Sequence, residues 1–286
     1  MLAYVAMRAG VAVVGILPFR VVVRLGELGG RLFALFDTGR RTMVRRHAVR
    51  IGVADVDRHV RDTFAAYGRY WAEALWIRPR RRNFVDARTT DEGLEWIAAA
   101  RDAGRGTIVA LPHLGNWEYA APVASRLGLE VVAVAENLRN HRIRNWFLRM
   151  RTSLDIGIIL ATGSGEVIRA LEAVIARNGV VALLSDRDLK RRGVKVSFFG
   201  EETTLPAGPA SLALRTGAPL LPVATYFTPD GHHVVVRPPV DIPQDGDRSD
   251  RIRIITQQLA TEFESFIRAA PEQWHLLQPN WPSDLT

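Results

Sequence analysis

Apolar residues along this chain follow two different periods. From Thr107 onward, short β-branched runs recur: TIVAL (107–111), VVAVA (131–135), GIIL (157–160), VVALL (180–184), LLPVAT (220–225) and HVVVR (233–237). Stretches of helical periodicity around 140–153, 165–177 and 208–216 separate several of these runs. Strands that are apolar throughout leave no face for water, so the pattern predicts an α/β fold with a largely parallel central sheet flanked by helices on both faces. In such sheets, chemistry gathers at the carboxyl ends of the strands.

Before Thr107 the period is helical. Phe64, Tyr67, Tyr70, Trp71 and Leu75 share one face of a helix expected over 55–77, and Leu94, Ile97 and Ala98 predict another over 91–103, stopped by Gly104. Near the other end, Ile252, Ile255, Leu259, Phe263 and Ile267 predict a helix over 251–269 that ends before Pro271. The first forty residues read as two apolar helices broken near Pro18, the first with Val11, Val14 and Leu17, the second with Val21, Leu25, Leu28, Leu32 and Leu35. Their longest uncharged run, residues 9 to 19, is too short to span a bilayer, which takes about 20 residues. It also lacks a signal peptide's cleavage layout, so an uncleaved, unexported chain is expected. A polar stretch over 78–90, opened by Arg78, Arg80, Arg81 and Arg82, is the one visible internal boundary. The expected organisation is a basic helical segment, 1–50, that associates with a membrane interface, followed by an α/β domain, 51–286.

Composition narrows the function. The chain has 286 residues, 48% hydrophobic and 24% charged, with no cysteine, which excludes a disordered chain, a disulfide scaffold and a cysteine-built zinc site. Nine arginines against Glu27 and Asp37 place seven of the eight net positive charges in residues 1–50. Basic apolar helices of this kind bind anionic membrane interfaces, each cation contributing about 1 kcal/mol; the competing reading is a helical hairpin packed on the protein's own core. Nucleic acid is a poor partner, because these positive charges alternate with leucine and valine instead of stacking aromatics. Arginine supplies 36 of the 38 cations, a bias that suits phosphate and also reflects codon usage in a G+C-rich genome.

The candidate chemistry starts where TIVAL runs into Pro112, His113, Leu114, Gly115, Asn116, Trp117 and Glu118. His113 sits at a strand's carboxyl end, Asn116 can cap the following helix, and Pro122 should shorten that helix. An imidazole there can take the proton of an attacking alcohol, and a buried carboxylate on its other nitrogen would fix its tautomer. Two acids are available: Glu118, close in sequence, and Asp186, which ends VVALL but could instead pair with Arg187. The loop Arg187, Lys190, Arg191, Arg192 and Lys195 could hold phosphates or simply face solvent. ATGSGE (161–166) is a weak anion-binding signal, and no G-x-S-x-G accompanies its Ser164. His47, His59, His141, His232, His233 and His275 show no metal-ligand spacing, so no metal is expected.

The spacing His113-x4-Glu118, in the form HLGNWE, resembles the HX4(D/E) motif of the glycerolipid acyltransferase superfamily. SDRDL (185–189), FFGEETTLPAGPASLALRTGAPLLPV (198–223) and WHLLQPNW (274–281) follow in the order of the branch that acylates lipid A and the phosphatidylinositol mannosides. The resemblance covers nearly the whole chain and is strongest to the actinobacterial phosphatidylinositol mannoside acyltransferases. It implies a monotopic or peripheral enzyme on the cytoplasmic face of the plasma membrane that moves a long acyl chain, palmitoyl by expectation, from acyl-CoA to a mannose hydroxyl. It also implies that Asp186 is the relay partner of His113 and that Glu118 holds the site in shape. Glu136 and Arg151, with Arg149 as an alternative, would lie near the acceptor, and Arg187 could bind its phosphate. No cofactor beyond the acyl-CoA donor, no covalent acyl-enzyme and a monomeric state are expected. The rival readings are a lipid A type or other lysophospholipid acyltransferase and a non-catalytic membrane-binding homologue.

Overall fold

In a computed structural model, residues 10–285 are described except 12, 137–139, 153, 162–164 and 189, together with the side chains of Pro79, Arg82 and Glu136. The sheet has seven strands: β1 (Thr89–Glu92), β2 (Thr107–Leu111), β3 (Val131–Glu136), β4 (Ile156–Ala161), β5 (Val180–Leu184), β8 (Leu220–Phe227) and β9 (His232–Val236), in the order β1-β9-β8-β2-β5-β3-β4. All neighbours are parallel except β8 and β9, which form an antiparallel pair. A separate antiparallel hairpin joins β6 (Val194–Phe198) to β7 (Glu201–Leu205).

Helices cover both faces, as the fully apolar strands require. Along β2, Ile108 and Ala110 face one core, where α8 (Gly165–Ala176), α9 (Gly208–Thr216) and α10 (Arg248–Ala269) bring Ile175, Leu212 and Phe263. Val109 and Leu111 face the other, where α5 (Leu94–Asp102), α6 (Ala120–Ser125) and α7 (His141–Thr152) bring Ile97, Val123 and Met150. Pro122 lies within α6, which runs for only six residues.

One expectation needs correction. Residues 91 and 92 belong to strand β1 and not to the helix, which starts at Leu94 after Gly93 turns the chain with φ 77°. The boundary stretch 78–90 is itself structured: it contains α4 (Arg82–Asp86), buries Val85, and runs into β1. TTDE is polar, buries only Thr89, and forms one edge of the sheet.

The amino-terminal helices are α1 (Phe19–Phe36), α2 (Thr38–Ile51) and α3 (Val56–Trp76). Asp37 caps α2 by accepting from the Arg40 amide at 2.9 Å, and Asp55 caps α3 by accepting from that of Arg58 at 2.9 Å. Helix α1 presses Phe19, Val22 and Ala34 inward, with Phe19 against Trp76 at 5.2 Å. The leucine stripe read from the sequence points the other way: Leu25, Leu28, Leu32 and Leu35 are 50–63% exposed. No helix among the described residues is long and apolar enough to cross a membrane. Several arginines of this region are engaged with the protein itself, Arg20 with Asp230, Arg45 with Asp57 and Arg50 with both Glu201 and Asp284.

Backbone contact between α1 and α3 depends on glycine. A Cβ on Gly30 would lie 1.9 Å from the Phe64 carbonyl oxygen, and one on Gly68 would lie 2.1 Å from that of Gly26. Gly68→Leu should therefore pry the helices apart at a cost of about 1–3 kcal/mol, read as a melting temperature lower by several degrees; an unchanged melting temperature would contradict this packing.

Candidate active site

Strands β2 and β5 run side by side in parallel register, with Leu111 opposite Leu184. The residues that follow them therefore leave the sheet together, and the Ser185 amide donates to the Leu111 carbonyl at 2.9 Å. Two positions further on, the His113 ring and the Asp186 carboxylate meet, with Nδ1 and Oδ1 2.5 Å apart. The second oxygen, Oδ2, accepts from the His113 backbone amide at 3.0 Å and from the Trp274 indole at 2.8 Å. Asn280 holds the same residue from behind, donating to the Asp186 carbonyl at 3.2 Å.

Asp186 is fully buried. Burial alone would raise its pKa, yet the adjoining His113 ring, the Trp274 N–H and the His113 amide outweigh it and hold the carboxyl at about 2. An ionised carboxylate only accepts, so Nδ1 carries a proton, and the neutral tautomer this fixes has its lone pair on Nε2. His113 lines a cavity of about 310 Å³ together with Tyr67, Tyr70, Trp71, Trp117 and Leu184.

The turn that carries the imidazole is fixed at several points. Gly115 has φ 58°, and a Cβ there would lie 2.2 Å from the Thr225 carbonyl oxygen. Thr225 donates through Oγ1 to the Leu114 carbonyl at 2.7 Å, and the His275 amide donates to that of His113 at 2.7 Å. His275 donates through Nε2 to the Gly115 carbonyl at 2.9 Å, and burial lowers its pKa to about 3, which keeps it neutral. Asn116 caps the turn, accepting from the Glu118 amide at 3.3 Å, and donates to Glu73 at 2.9 Å. Glu73, wholly buried, also accepts from Arg69 at 2.7 Å and His232 at 2.8 Å. Burial pushes the Glu73 carboxyl up, but His232 and Arg69 more than offset this and hold it low.

Glu118 does not reach His113. Its oxygens grip the Arg151 guanidinium, at 3.0 and 3.1 Å from Nε and 2.6 Å from an Nη. Burial would lower the Arg151 pKa, and Glu118 reverses that effect and raises it. Arg187 pairs with Gln278 at 3.1 Å, not with Asp186, and lies on the cavity wall. Arg149 is exposed and does not line the His113 cavity. Glu136 closes β3, and its side chain lies outside the described residues, as do 162–164 of ATGSGE. Lys190, Arg191, Arg192 and Lys195 are exposed, Lys195 pairing with Glu202 at 2.9 Å.

A second, narrower cavity of about 70 Å³ lies beneath α6, walled almost wholly by apolar side chains. It abuts the first, because Trp117, Val134, Arg151 and Leu184 line both. Sequence reasoning passed over Glu73, Trp274, His275 and Asn280. A lone acid within a helix reads as surface, and only the aromatic density of WHLLQPNW hinted that the tail closes on the site. Among the described residues, no three His, Asp or Glu side chains converge to hold a metal ion.

A model of the bacterial lipid A biosynthesis acyltransferase family matches residues 1–283. The chain belongs to that family. It is therefore an acyltransferase, with the His113–Asp186 pair at its strand ends. Relatives named phosphatidylinositol mannoside acyltransferase occur in Mycolicibacterium smegmatis, 36% identical over 261 residues and covering 90% of this chain and 84% of the relative, and in Mycobacterium tuberculosis, 37% identical over 289 residues, covering 98% and 89%.

Because folding holds Asp186 at about 2, below its usual 3.8, this carboxylate stabilises the acyltransferase above pH 3.8 and ceases to do so as pH falls through 2. Asp186→Asn should cost about 1–3 kcal/mol near neutrality, and its deficit against the wild type should shrink in melts taken at successively lower pH. A deficit independent of pH would contradict the ionised pair.

Proposed function

We propose that this enzyme transfers a long acyl chain, palmitoyl in the first instance, from acyl-CoA to a mannose hydroxyl of a phosphatidylinositol mannoside. The observation that carries the reading is the pairing of a tautomer-fixed imidazole with a cavity that abuts an apolar slot. The names of the 36–37% identical relatives supply the acceptor.

In the proposed reaction, Nε2 of His113 takes the proton of the acceptor hydroxyl as its oxygen attacks the thioester carbonyl. The tetrahedral intermediate collapses with cleavage of the C–S bond, and the imidazolium returns the proton to the departing thiolate. Asp186 steadies the transient cation without accepting a proton itself. Glu118 and Arg151 hold the wall between the two cavities, and the apolar slot takes the acyl tail. Arg187, with Arg40 at the same cavity, is suited to phosphate. Glu136, at the carboxyl end of β3, is proposed to meet the acceptor sugar. No cofactor is required beyond the donor, and the enzyme works as a monomer.

The outward leucine stripe of α1 is proposed to lie in the cytoplasmic face of the plasma membrane. An apolar groove between α1 and α3 supports this placement, since Arg40, Tyr67 and Trp71 line both the groove and the His113 cavity.

Two experiments test these assignments. Purified protein given palmitoyl-CoA with mannosylated or non-mannosylated inositol lipids should yield an acylated mannoside by mass spectrometry. His113→Ala should lose transfer at least about 100-fold while still binding acyl-CoA; retained turnover, or product from the non-mannosylated lipid alone, would overturn the assignment. In the second, Leu28→Asp with Leu32→Asp should weaken flotation with phosphatidylinositol-containing vesicles by about tenfold or more, and unchanged flotation would remove α1 from the interface.

A further inference from the structure

Three side chains of α2 reach the carboxyl-terminal segment. Arg46 donates to the Ser283 carbonyl at 3.1 Å, and Arg50 donates to the Ser283 hydroxyl at 2.8 Å and to Asp284 at 3.2 Å. The third is His47, only 2% exposed, whose ring centre lies 5.7 Å from that of Trp274 and 5.2 Å from that of Trp281. Its two nitrogens meet the same segment at two points. Nδ1 lies 3.0 Å from the Leu276 carbonyl oxygen, and Nε2 lies 3.3 Å from Oδ2 of Asp284.

Both partners are acceptors. A carbonyl oxygen has no proton to give, and Asp284 is a carboxylate. Burial pushes the Asp284 carboxyl up, but His47 and the Asn280 and Trp281 amides, which donate to Oδ2 at 2.9 and 3.1 Å, outweigh it and hold it low. A neutral imidazole donates from one nitrogen only and would turn a lone pair on the other acceptor. An imidazolium satisfies both, and Asp284 balances its charge. Arg50, the cation beside it, is matched by Glu201 at 2.8 Å, and His59 on α3 also lies close enough to sense the ring.

The segment gripped in this way frames the catalytic pair. Leu276 and Asp284 bound the loop that contains Asn280, and Trp274 stands two residues before it. Trp274 donates to the Asp186 carboxylate, Asn280 to the Asp186 carbonyl, and the His275 amide to the His113 carbonyl. We infer that His47, as a buried imidazolium bridging Leu276 and Asp284, is a positioning residue for the His113–Asp186 pair. It acts through the tail: without the bridge, Asp284 keeps Arg50, but the loop is released from His47 at Leu276, and the donors to Asp186 lose their fixed seat. The effect on turnover rests on the proposed role of His113 as the base.

The test combines nitrogen-15 NMR of histidine-labelled full-length protein with kinetics. In the wild type near neutral pH, both ring nitrogens of His47 should carry protons; a neutral ring would overturn the inference. His47→Phe keeps an aromatic ring against Trp274 and Trp281 and removes both hydrogen bonds. Assayed below its melting transition, it should lower kcat about tenfold or more, leave KM for acyl-CoA within about twofold, and shift the His113 Nδ1 proton signal. A merely structural role would lower the melting temperature and leave the kcat and the His113 signal of the folded protein unchanged, which would overturn the inference, as would a lost kcat with that signal unmoved. Should His47→Phe fail to fold, Asp284→Asn applies the same readouts, because it removes the charge and keeps an oxygen for the Asn280 and Trp281 amides. The NMR needs no substrate, so a shifted His113 signal with unchanged kcat would support the bridge and count against His113 as the base.

Discussion

A carboxylate withdrawn from water must be met by donors, and in this protein one of those donors is the imidazole that the proposed chemistry needs. Asp186 accepts from the His113 ring, the His113 amide and the Trp274 indole, and with those partners it stays ionised at full burial. Its charge in turn fixes the proton on Nδ1 and leaves Nε2 as a base. The arrangement cannot be assembled locally. It joins residues 73 and 88 positions apart, and it exists only because β2 and β5 are adjacent, parallel and in register.

The carboxyl-terminal segment completes what the strands begin. Trp274 and Asn280 hold Asp186 from two sides, while the His275 amide and ring hold the turn that bears His113. From the opposite direction, Glu73 on α3 ties down Asn116, and the same helix packs glycine to glycine on α1. The helix that carries the exposed leucine stripe is thus packed directly on the helix whose aromatic residues line the His113 cavity. In the proposed function, a surface set in the membrane and a base at the strand ends keep a fixed relation to one another.

Much of this was legible because burial on both faces writes itself as unbroken β-branched runs, and six strands were visible in that way. The strand TTDE was missed because it carries no apolar run, and the hairpin VKVSF/EETTL because its first strand begins in the loop read for its cations and its second lies in a block read for its resemblance. Placing His113 and Asp186 at strand ends needed only the sheet's polarity. Sequence alone left open whether Glu118 or Asp186 faces the ring, since that depends on where Arg151 arrives from α7. The leucines of α1 were correctly grouped on one face, but a period cannot say whether that face looks inward or outward. Glu73 was beyond reach, because its partners come from β9 and from the turn after β2.

The most direct test of the central claim is nitrogen-15 NMR of histidine-labelled protein, read at residue 113. The account predicts a neutral ring protonated on Nδ1, with that proton shifted far downfield by the short bond to Asp186 and the signal lost in Asp186→Asn. A ring protonated on Nε2, or an Nδ1 proton indifferent to the Asp186 substitution, would contradict it.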